Sequence, residues 1–433
     1  MTPTVGLRRA TFTLLAGGLA AQAIPLALGP WLTRLYTPED FGSYHLFAAV
    51  AANVAVVACA RYEFALPLAR DEDEATSLRA LSLWLLAGCT LLAALGGAGW
   101  AWHSGQAWPL WLPLAVLALG AVSLATLVAT RAQRFRALAA GRVLQHGGGA
   151  LAQAGAGLAQ AGVTGLIVAP LAAALATAAL LRLPLRGWWQ VSRQRLVAVA
   201  RRHREFPLLN TPHAFAGALQ DTLAVSLIAA TLGPAAAGFW GLTLRYLKAP
   251  ATLVGGAVSQ ALYPRLAGAS RAGSEPAAGV LGGAATAGQP AAAIAASPGR
   301  PSAAARADVR RVMLALAAVA TPLVLALWLA APWAFARVFG PQWQAAGDLA
   351  RALAVYIGVH FVASPLAVVT MAWNAQAWAL KLALVGQGVF VLSLAAGLAW
   401  GGLRGAGWAV SAGMALYFGW YFWRLATWPV AAA

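Results

Sequence analysis

Two basic residues interrupt an otherwise apolar segment of the chain, "LGPAAAGFWGLTLRYLKAP" at residues 232–250. Arg245 and Lys248 are three residues apart, so on a helix both project from one face. A charge at bilayer depth costs a few kcal/mol, and such residues usually face a water-filled cavity. The chemistry that fits is neutralisation of an anionic ligand, because a guanidinium binds phosphate through two parallel hydrogen bonds. The sequence therefore predicts an anion site on this helix.

An acidic residue offers a second interpretation of the same segment. Asp221 lies 12 residues before Gly233 and Arg245 lies 12 residues after it. In an antiparallel hairpin that turns at Gly233, both side chains lie at the same depth, near the middle of the bilayer. An ion pair between Asp221 and Arg245 is thus one alternative, and it is compatible with an anion site. It leaves Lys248, one turn deeper, without an acid nearby in the sequence.

Further candidates lie elsewhere in the chain. His360, in an apolar segment, is predicted to contact substrate or carry a proton, and His213 is a weaker candidate of the same kind; the alternative for each is a hydrogen-bonded contact between helices. Arg61 and Glu63 form a loop motif after the second apolar segment, with a solvated helix end as their alternative. The acidic stretch "DEDEA" at 71–75 is interpreted as a solvated face.

Several classes of protein are excluded by what the sequence lacks. It has no carboxylate pair at general acid/base spacing within an apolar segment, no His/Cys cluster with metal-ligand spacing and no phosphate-binding loop. We therefore predict a protein that is not an enzyme and that needs no cofactor or metal. The net charge of +18 does not indicate nucleic acid, because the basic residues lie in short loops, where membrane topology explains them.

The elements that must position these residues are membrane helices. The chain is 61% hydrophobic and 10% charged over 433 residues, whereas soluble proteins carry about 25% charged residues. Apolar runs of about 20 residues, the length that spans a bilayer, follow one another. The twelve predicted spans are 11–33, 41–60, 80–102, 109–130, 143–161, 164–182, 207–231, 236–262, 312–337, 349–372, 377–399 and 405–426. Lys and Arg concentrate in alternate loops, which predicts that both termini are cytoplasmic.

An internal repeat predicts two halves. The turn after the first span and the turn after the seventh share Pro-x-x-x-Gly-x-aromatic, and the turns after the fifth and eleventh both begin Gly-x-x-Gly. The matched residues are Pro38, Gly42 and Tyr44 with Pro234, Gly238 and Trp240, and Gly162 and Gly165 with Gly402 and Gly405. We therefore expect two six-helix bundles, 1–184 and 207–433, related by an axis along the membrane normal. A basic cytoplasmic linker, 185–206, joins them, and an Ala/Gly-rich cytoplasmic insert at 266–309 interrupts the second bundle.

Four motifs in this order carry a family resemblance. They are "LTRLYTPEDFGSY", "RYEFALPLARDEDEA", "LGPAAAGFW…RYLKAPATLVGGAVSQALYPRLA" and "FGPQWQAAG". Together they resemble the Wzx-type oligosaccharide flippases, a branch of the multidrug/oligosaccharidyl-lipid/polysaccharide exporter superfamily. The resemblance covers nearly the whole chain apart from the Ala/Gly-rich insert. It implies a V of two bundles that moves lipid-linked oligosaccharide by alternating access.

This resemblance makes specific expectations about the substrate and setting. It implies a multi-pass protein of the bacterial inner membrane that flips undecaprenyl-diphosphate-linked oligosaccharide for surface polysaccharide or O-antigen. The expected partners are that substrate, membrane lipid, and a polysaccharide polymerase with its chain-length machinery. One alternative is a multidrug antiporter of the same superfamily, which should carry more acidic membrane residues than Asp221. A membrane polymerase or glycosyltransferase is the other, and it should have a long outer loop that this sequence lacks.

Overall fold

The computed structural model describes residues 3–271 and 301–430, and these residues form helices joined by short turns without any strand. They divide into two compact units, Met1–Ser226 and Leu227–Ala433, named here unit 1 and unit 2. The expected all-α membrane fold is confirmed. The number of twelve spans, the side of each terminus and the domain bounds stay predictions.

Unit 1 holds the first eight helices and most of the ninth. Their bounds are α1 Pro3–Leu35, α2 Pro38–Val57, α3 Glu72–Ser104, α4 Leu112–Arg131, α5 Phe135–Arg142, α6 Gly149–Leu158, α7 Gly162–Leu180, α8 Arg193–Arg202 and α9 Thr211–Leu232. A π-helical turn, Val143–Gly148, makes α5 and α6 one continuous rod, and a short 3₁₀ helix, Tyr62–Leu68, follows α2. The helix α8 lies within the predicted basic linker.

Unit 2 is built on five helices. They are α10 Pro234–Arg271, α11 Ala303–Phe339, α12 Gln344–Ala352, α13 Ala354–Ala372 and α14 Gln376–Ala426. The 51-residue α14 is broken by non-helical backbone at Gly401 and Gly402. It is therefore long enough for two crossings, as predicted for 377–399 and 405–426, since each crossing takes about 20 residues.

Eight helical stretches within the described residues are long and apolar enough to cross a membrane. They are Pro38–Val57, Glu72–Ser104, Trp108–Arg131, Gly162–Leu180, Phe206–Leu232, Ala303–Phe339, Ala354–Ala372 and Ala377–Ala426. The other predicted spans also coincide with helices: 11–33 with α1, 143–161 with the α5–α6 rod and 236–262 with α10. The chain is a multi-pass membrane protein.

The predicted repeat has a counterpart in the local backbone. Pro38 and Pro234 each occupy the first position of a helix, where the missing N–H costs no hydrogen bond. Gly162 and Gly402 both have positive φ, of +53° and +58°, which glycine adopts without steric cost. The turns matched by sequence thus share a proline at a helix start and a glycine with positive φ in each half.

Side-chain hydrogen bonds to backbone carbonyls hold the helices of each unit together. In unit 1 the Tyr36 hydroxyl donates to the Gln153 carbonyl oxygen at 2.7 Å, and the Gln153 side chain donates to the Leu166 carbonyl at 2.8 Å. In unit 2 the fully buried Thr243 donates to the Ala346 carbonyl at 3.0 Å. Each such bond satisfies a polar group that would otherwise be costly inside an apolar bundle.

The insert and the linker differ in part from their expected bounds. Residues 266–271 belong to α10 and residues 303–309 to α11, so the ends of the predicted insert are helical; residues 272–300 lie outside the described residues. The contacts also group residues 207–226, expected in the second bundle, with unit 1. Hydropathy marks where a helix runs, but it does not say which neighbours that helix packs against.

Candidate functional site

Lys248 lies on α10, close to an aromatic ring of α13. Its Nζ is 6.0 Å from the centroid of the Tyr356 ring, within the distance at which a cation is attracted to an aromatic face. The His360 ring lies one turn further along α13, 5.7 Å from the Tyr356 ring. The structure thus gathers Lys248 and His360 around one tyrosine that sequence reasoning missed. The spacing Tyr-x-x-x-His on a helix was the available signal.

Close packing of α10 on α13 fixes the position of Lys248. The Ser259 hydroxyl donates to the Pro365 carbonyl at 3.1 Å. At Gly255 a Cβ would lie 2.9 Å from the Ser364 oxygen, so the absence of a side chain permits this approach. Small residues at helix contacts are the usual device for close packing in membranes. The cation is therefore carried by a part of unit 2 in which α10 and α13 touch along their length.

Arg245, one turn before Lys248, is partly exposed, as is Lys248 itself. The neighbouring Tyr246 packs its ring 4.6 Å from that of Phe339 on α11. Their spacing of three residues places Arg245 and Lys248 on one face of α10, as predicted. Two cations on one face attract an anion more strongly than either alone, and the low dielectric of a membrane protein increases the effect.

The carboxylates that the structure describes in unit 2 are engaged in other ion pairs. Asp308 pairs with Arg311 at 3.2 Å, and Asp348 pairs with Arg404. The first pair lies on α11 and the second joins α12 to α14, so both are distant in sequence from Arg245 and Lys248. Asp308 and Asp348 thus form ion pairs with arginines of α11 and α14.

Asp221 and His213 lie on α9 in unit 1, and both are exposed. Beside Asp221, the Thr222 hydroxyl donates to the Ala49 carbonyl at 3.1 Å and accepts from the Asn53 amide at 3.2 Å, so α9 is bound to α2 at this depth. Because Asp221 and Arg245 belong to different units, their pairing stays a prediction, and so does a substrate contact for His213.

Arg61 and Glu63 are buried, contrary to the alternative of a solvated helix end. Arg61 is only 9% exposed and Glu63 only 3% exposed. The Arg61 guanidinium lies 4.2 Å from the centroid of the Phe64 ring, and Glu63 accepts a hydrogen bond from the Ser123 hydroxyl at 3.4 Å. Burial raises the pKa of Glu63, and its own backbone N–H, Arg61 and Ser123 oppose this rise only in part. Burial likewise lowers the pKa of Arg61.

The acidic stretch 71–75 is also only partly a solvated face. Asp71 caps α3 by accepting from the Glu74 N–H at 2.7 Å. Glu74 itself is buried; it accepts from the Arg70 N–H at 2.8 Å and contacts Arg202 at 3.3 Å and His203 at 3.0 Å. Arg202 and His203 lie at the end of α8 within the basic linker, so Glu74 fastens that linker to the start of α3. Loop charges looked solvated in the sequence because their partners are about 130 residues away.

The part of the chain that the structure describes contains no group of three or more His, Cys, Asp or Glu side chains able to hold a metal ion. Arg245, Lys248 and His360 themselves offer charge and hydrogen bonding.

Solved structures of transporters share this fold. A lipid II flippase MurJ, in an inward closed conformation, aligns with a TM-score of 0.64 at 9% identity over 98% of this chain and 90% of that one. An inward-facing multidrug resistance MATE family transporter aligns with a TM-score of 0.61 at 14% identity over 94% and 97%. The MATE transporter VcmN of Vibrio cholerae, in its bent form, aligns with a TM-score of 0.53 at 14% identity over 97% and 95%. At such identities the likeness shows the fold.

The family follows from sequence. No curated protein matches the chain, but a family model described as "Polysaccharide biosynthesis protein" matches residues 31–280, which is more than half of it. The predictions of a flippase-type family and of a protein that is not an enzyme are confirmed by this match and this fold. The chain belongs to the polysaccharide biosynthesis protein family of membrane proteins.

Proposed function

We propose that this protein flips undecaprenyl-diphosphate-linked oligosaccharide across the bacterial inner membrane by alternating access. The product serves surface polysaccharide or O-antigen synthesis, and a polysaccharide polymerase with its chain-length machinery receives it. The observation that carries the proposal is the pair of cations, Arg245 and Lys248, on one face of a helix inside an apolar unit. The family match to polysaccharide biosynthesis supports a sugar-linked cargo.

The chemistry of such a cargo explains why a membrane helix retains two cations. A diphosphate carries negative charge that strongly disfavours the bilayer interior, while its polyprenyl tail is compatible with lipid. A guanidinium and an ammonium on one helix face replace part of the hydration that the diphosphate loses. His360 adds a hydrogen-bonding group beside Tyr356. In this proposal the sugar and diphosphate cross inside the protein while the tail stays in the lipid.

A multidrug antiporter remains the alternative, and the fold shared with MATE transporters favours it. Cationic drugs and cation coupling call for acids within the membrane, and Asp221 is the one acid within the spans predicted from the sequence. The two cations on α10 have the opposite sign. The charge at the candidate site therefore favours an anionic cargo over a cationic one.

Reconstitution separates the two functions. The purified chain is inserted into vesicles that contain a fluorescent undecaprenyl-diphosphate-linked oligosaccharide, and a membrane-impermeant quencher reports how much of it reaches the other leaflet. We expect flipping with the wild-type chain and no ethidium efflux driven by a proton or sodium gradient. Ethidium efflux without flipping of the lipid would refute the proposal and support the antiporter.

A further inference from the structure

A polar cavity lies in unit 1, whereas the cations of α10 belong to unit 2. Its volume is about 290 Å³, it is lined by residues of α1, α4, the α5–α6 rod and α7, and it opens to the surface at the exposed residues Gln22, Arg142 and His146. Its polar lining includes Gln22, Thr126, Arg142, Gln145 and His146. This volume is near the lower end of the range for small-molecule sites, about 300–1,000 Å³. The cavity therefore suits one sugar ring better than a drug-sized molecule.

Three side chains of this lining form no hydrogen bond or ion pair in the part of the chain that the structure describes: Gln22, Arg142 and Gln145. Gln22 and Arg142 are exposed, and Gln145 is partly exposed. Because these side chains are wholly or partly exposed, water satisfies them in the empty cavity, and they are available to hydrogen-bond a polar ligand that displaces that water. Thr177, in contrast, has its hydroxyl bonded to the Ala173 carbonyl at 2.8 Å.

The backbone around the cavity is shaped to present these groups. Gln145 and His146 lie in the π-helical turn Val143–Gly148, and such turns occur often at functional sites because they redirect side chains. On α1, Gly18 lies beside Arg142, whose Nη1 is 3.7 Å from the place a Cβ would take. The run "QHGGG" at 145–149 was the sequence signal for this site.

The mixture of groups distinguishes between ligands. Glutamine amides and a threonine hydroxyl both donate and accept hydrogen bonds, as sugar hydroxyls do, whereas a phosphate group only accepts. Arg142 supplies a planar donor fork that matches a carboxylate. One cation among neutral groups of both kinds fits a sugar that carries one carboxylate better than it fits a diphosphate.

We propose that this cavity is a monosaccharide subsite for a hexuronic acid residue of the transported glycan. Arg142 binds the carboxylate, and Gln22 and Gln145 bind ring hydroxyls. The inference rests on the proposed function and deepens it, since it names a sugar class for the cargo. It is separate from the α10 cations, which act on the diphosphate.

The test is direct binding of free sugars to the purified full chain. Saturation-transfer NMR suits millimolar affinities, and its probes are D-glucuronate, D-glucose and inorganic pyrophosphate. We expect D-glucuronate to bind best, and Arg142→Gln to weaken it about tenfold while leaving the weaker D-glucose binding unchanged. Gln145→Leu should weaken both sugars, which a role limited to charge would not do. Arg136→Gln is the matched control, because Arg136 is also an exposed arginine of the same rod but does not line the cavity.

Three results would contradict the proposed hexuronic acid subsite. Undiminished D-glucuronate binding by Arg142→Gln, preference for pyrophosphate, or no binding of D-glucuronate would each overturn the subsite. A wild-type chain that flips the lipid-linked oligosaccharide but binds no D-glucuronate refutes this inference alone. A chain that does neither refutes the proposed function as well. Thermal unfolding of each variant confirms that it is folded before binding is compared.

Discussion

Replacement of Glu74 is expected to release the basic linker from unit 1. The Glu74 side chain is 8% exposed and meets His203, which is 14% exposed, and Arg202, which is 41% exposed. Removing one partner from a buried pair costs about 3–5 kcal/mol, whereas an exposed pair contributes about 0.2–1 kcal/mol. Because the exposure of this cluster lies between those of a buried and an exposed ion pair, we expect Glu74→Ala to destabilise the attachment of the linker to α3 by about 2–3 kcal/mol.

The conservative variant isolates the charge. Glu74→Gln retains an oxygen that accepts the Arg70 N–H, at 2.8 Å in the wild type. It should lose about 1–2 kcal/mol, because a hydrogen bond to a charged group contributes about 1.5–3 kcal/mol and a neutral one about 0.5–1.5 kcal/mol. A loss of that size increases the opening equilibrium of the attached helix about 5–30-fold. Hydrogen exchange of the amides in Arg193–Arg202 measures this opening directly.

The control is Asp73→Asn, which makes the same change of charge at an exposed position of the same helical turn. It should alter exchange in α8 little, because a first-turn acid contributes about 0.3–1 kcal/mol to its own helix. Equal exchange of α8 in wild type, Glu74→Gln and Glu74→Ala would show that the ion-pair cluster does not hold the linker.

Three further predictions address burial, packing and the charged hairpin. Burial raises the pKa of Glu63, so the native state favours the neutral acid and loses stability as pH rises above the usual carboxyl range. Glu63→Gln should therefore raise the Tm at pH 8, and the difference in Tm from the wild type should close near pH 4. A difference in Tm that grows at low pH would contradict this sign. Gly347→Ala should destabilise by about 1–3 kcal/mol in thermal unfolding, because its Cβ would lie 2.6 Å from the backbone of α11. Its control is Gly388→Ala, which has open space around it and should not destabilise, since alanine favours a helix more than glycine does. Asp221→Asn and Arg245→Ala should be less destabilising together than the sum of each alone, by about 0.5–3 kcal/mol if they touch, and strict additivity in unfolding would remove the predicted pair.

Helix positions were readable from the sequence because long apolar runs and turn residues determine them locally. The break of α14 at Gly401–Gly402 and the start of α10 at Pro234 fall where the turn motifs predicted. The extension of the fifth span back to Phe135 was missed, because residues 135–142 carry two arginines and are not apolar. Such a polar helix start extends beyond the membrane core, where hydropathy gives no signal.

Only part of the candidate site could be predicted from the sequence. Arg245 and Lys248 stood out because a charge is costly in an apolar segment. Tyr356 did not, because a tyrosine in a membrane helix is unremarkable until packing places it beside a lysine. Burial of Glu63 was equally hidden, since a loop residue becomes buried only through contacts with helices that are distant in sequence, here Ser123 of α4.

The central claim is that Lys248 serves an anionic cargo, and transport by matched lysine variants tests it most directly. The chain has two lysines, Lys248 and the exposed Lys381 on α14, so Lys381→Met is a control with the same chemical change. The assay is restoration of surface polysaccharide in a flippase-deficient strain, with the amount of protein in the membrane measured alongside. We predict that Lys248→Met folds and inserts normally but loses most transport, because the diphosphate loses a cation worth a few kcal/mol at low dielectric. Lys248→Arg should retain more activity than Lys248→Met, and Lys381→Met should be fully active. Full restoration by Lys248→Met at normal protein levels would contradict the claim that this cation neutralises the substrate.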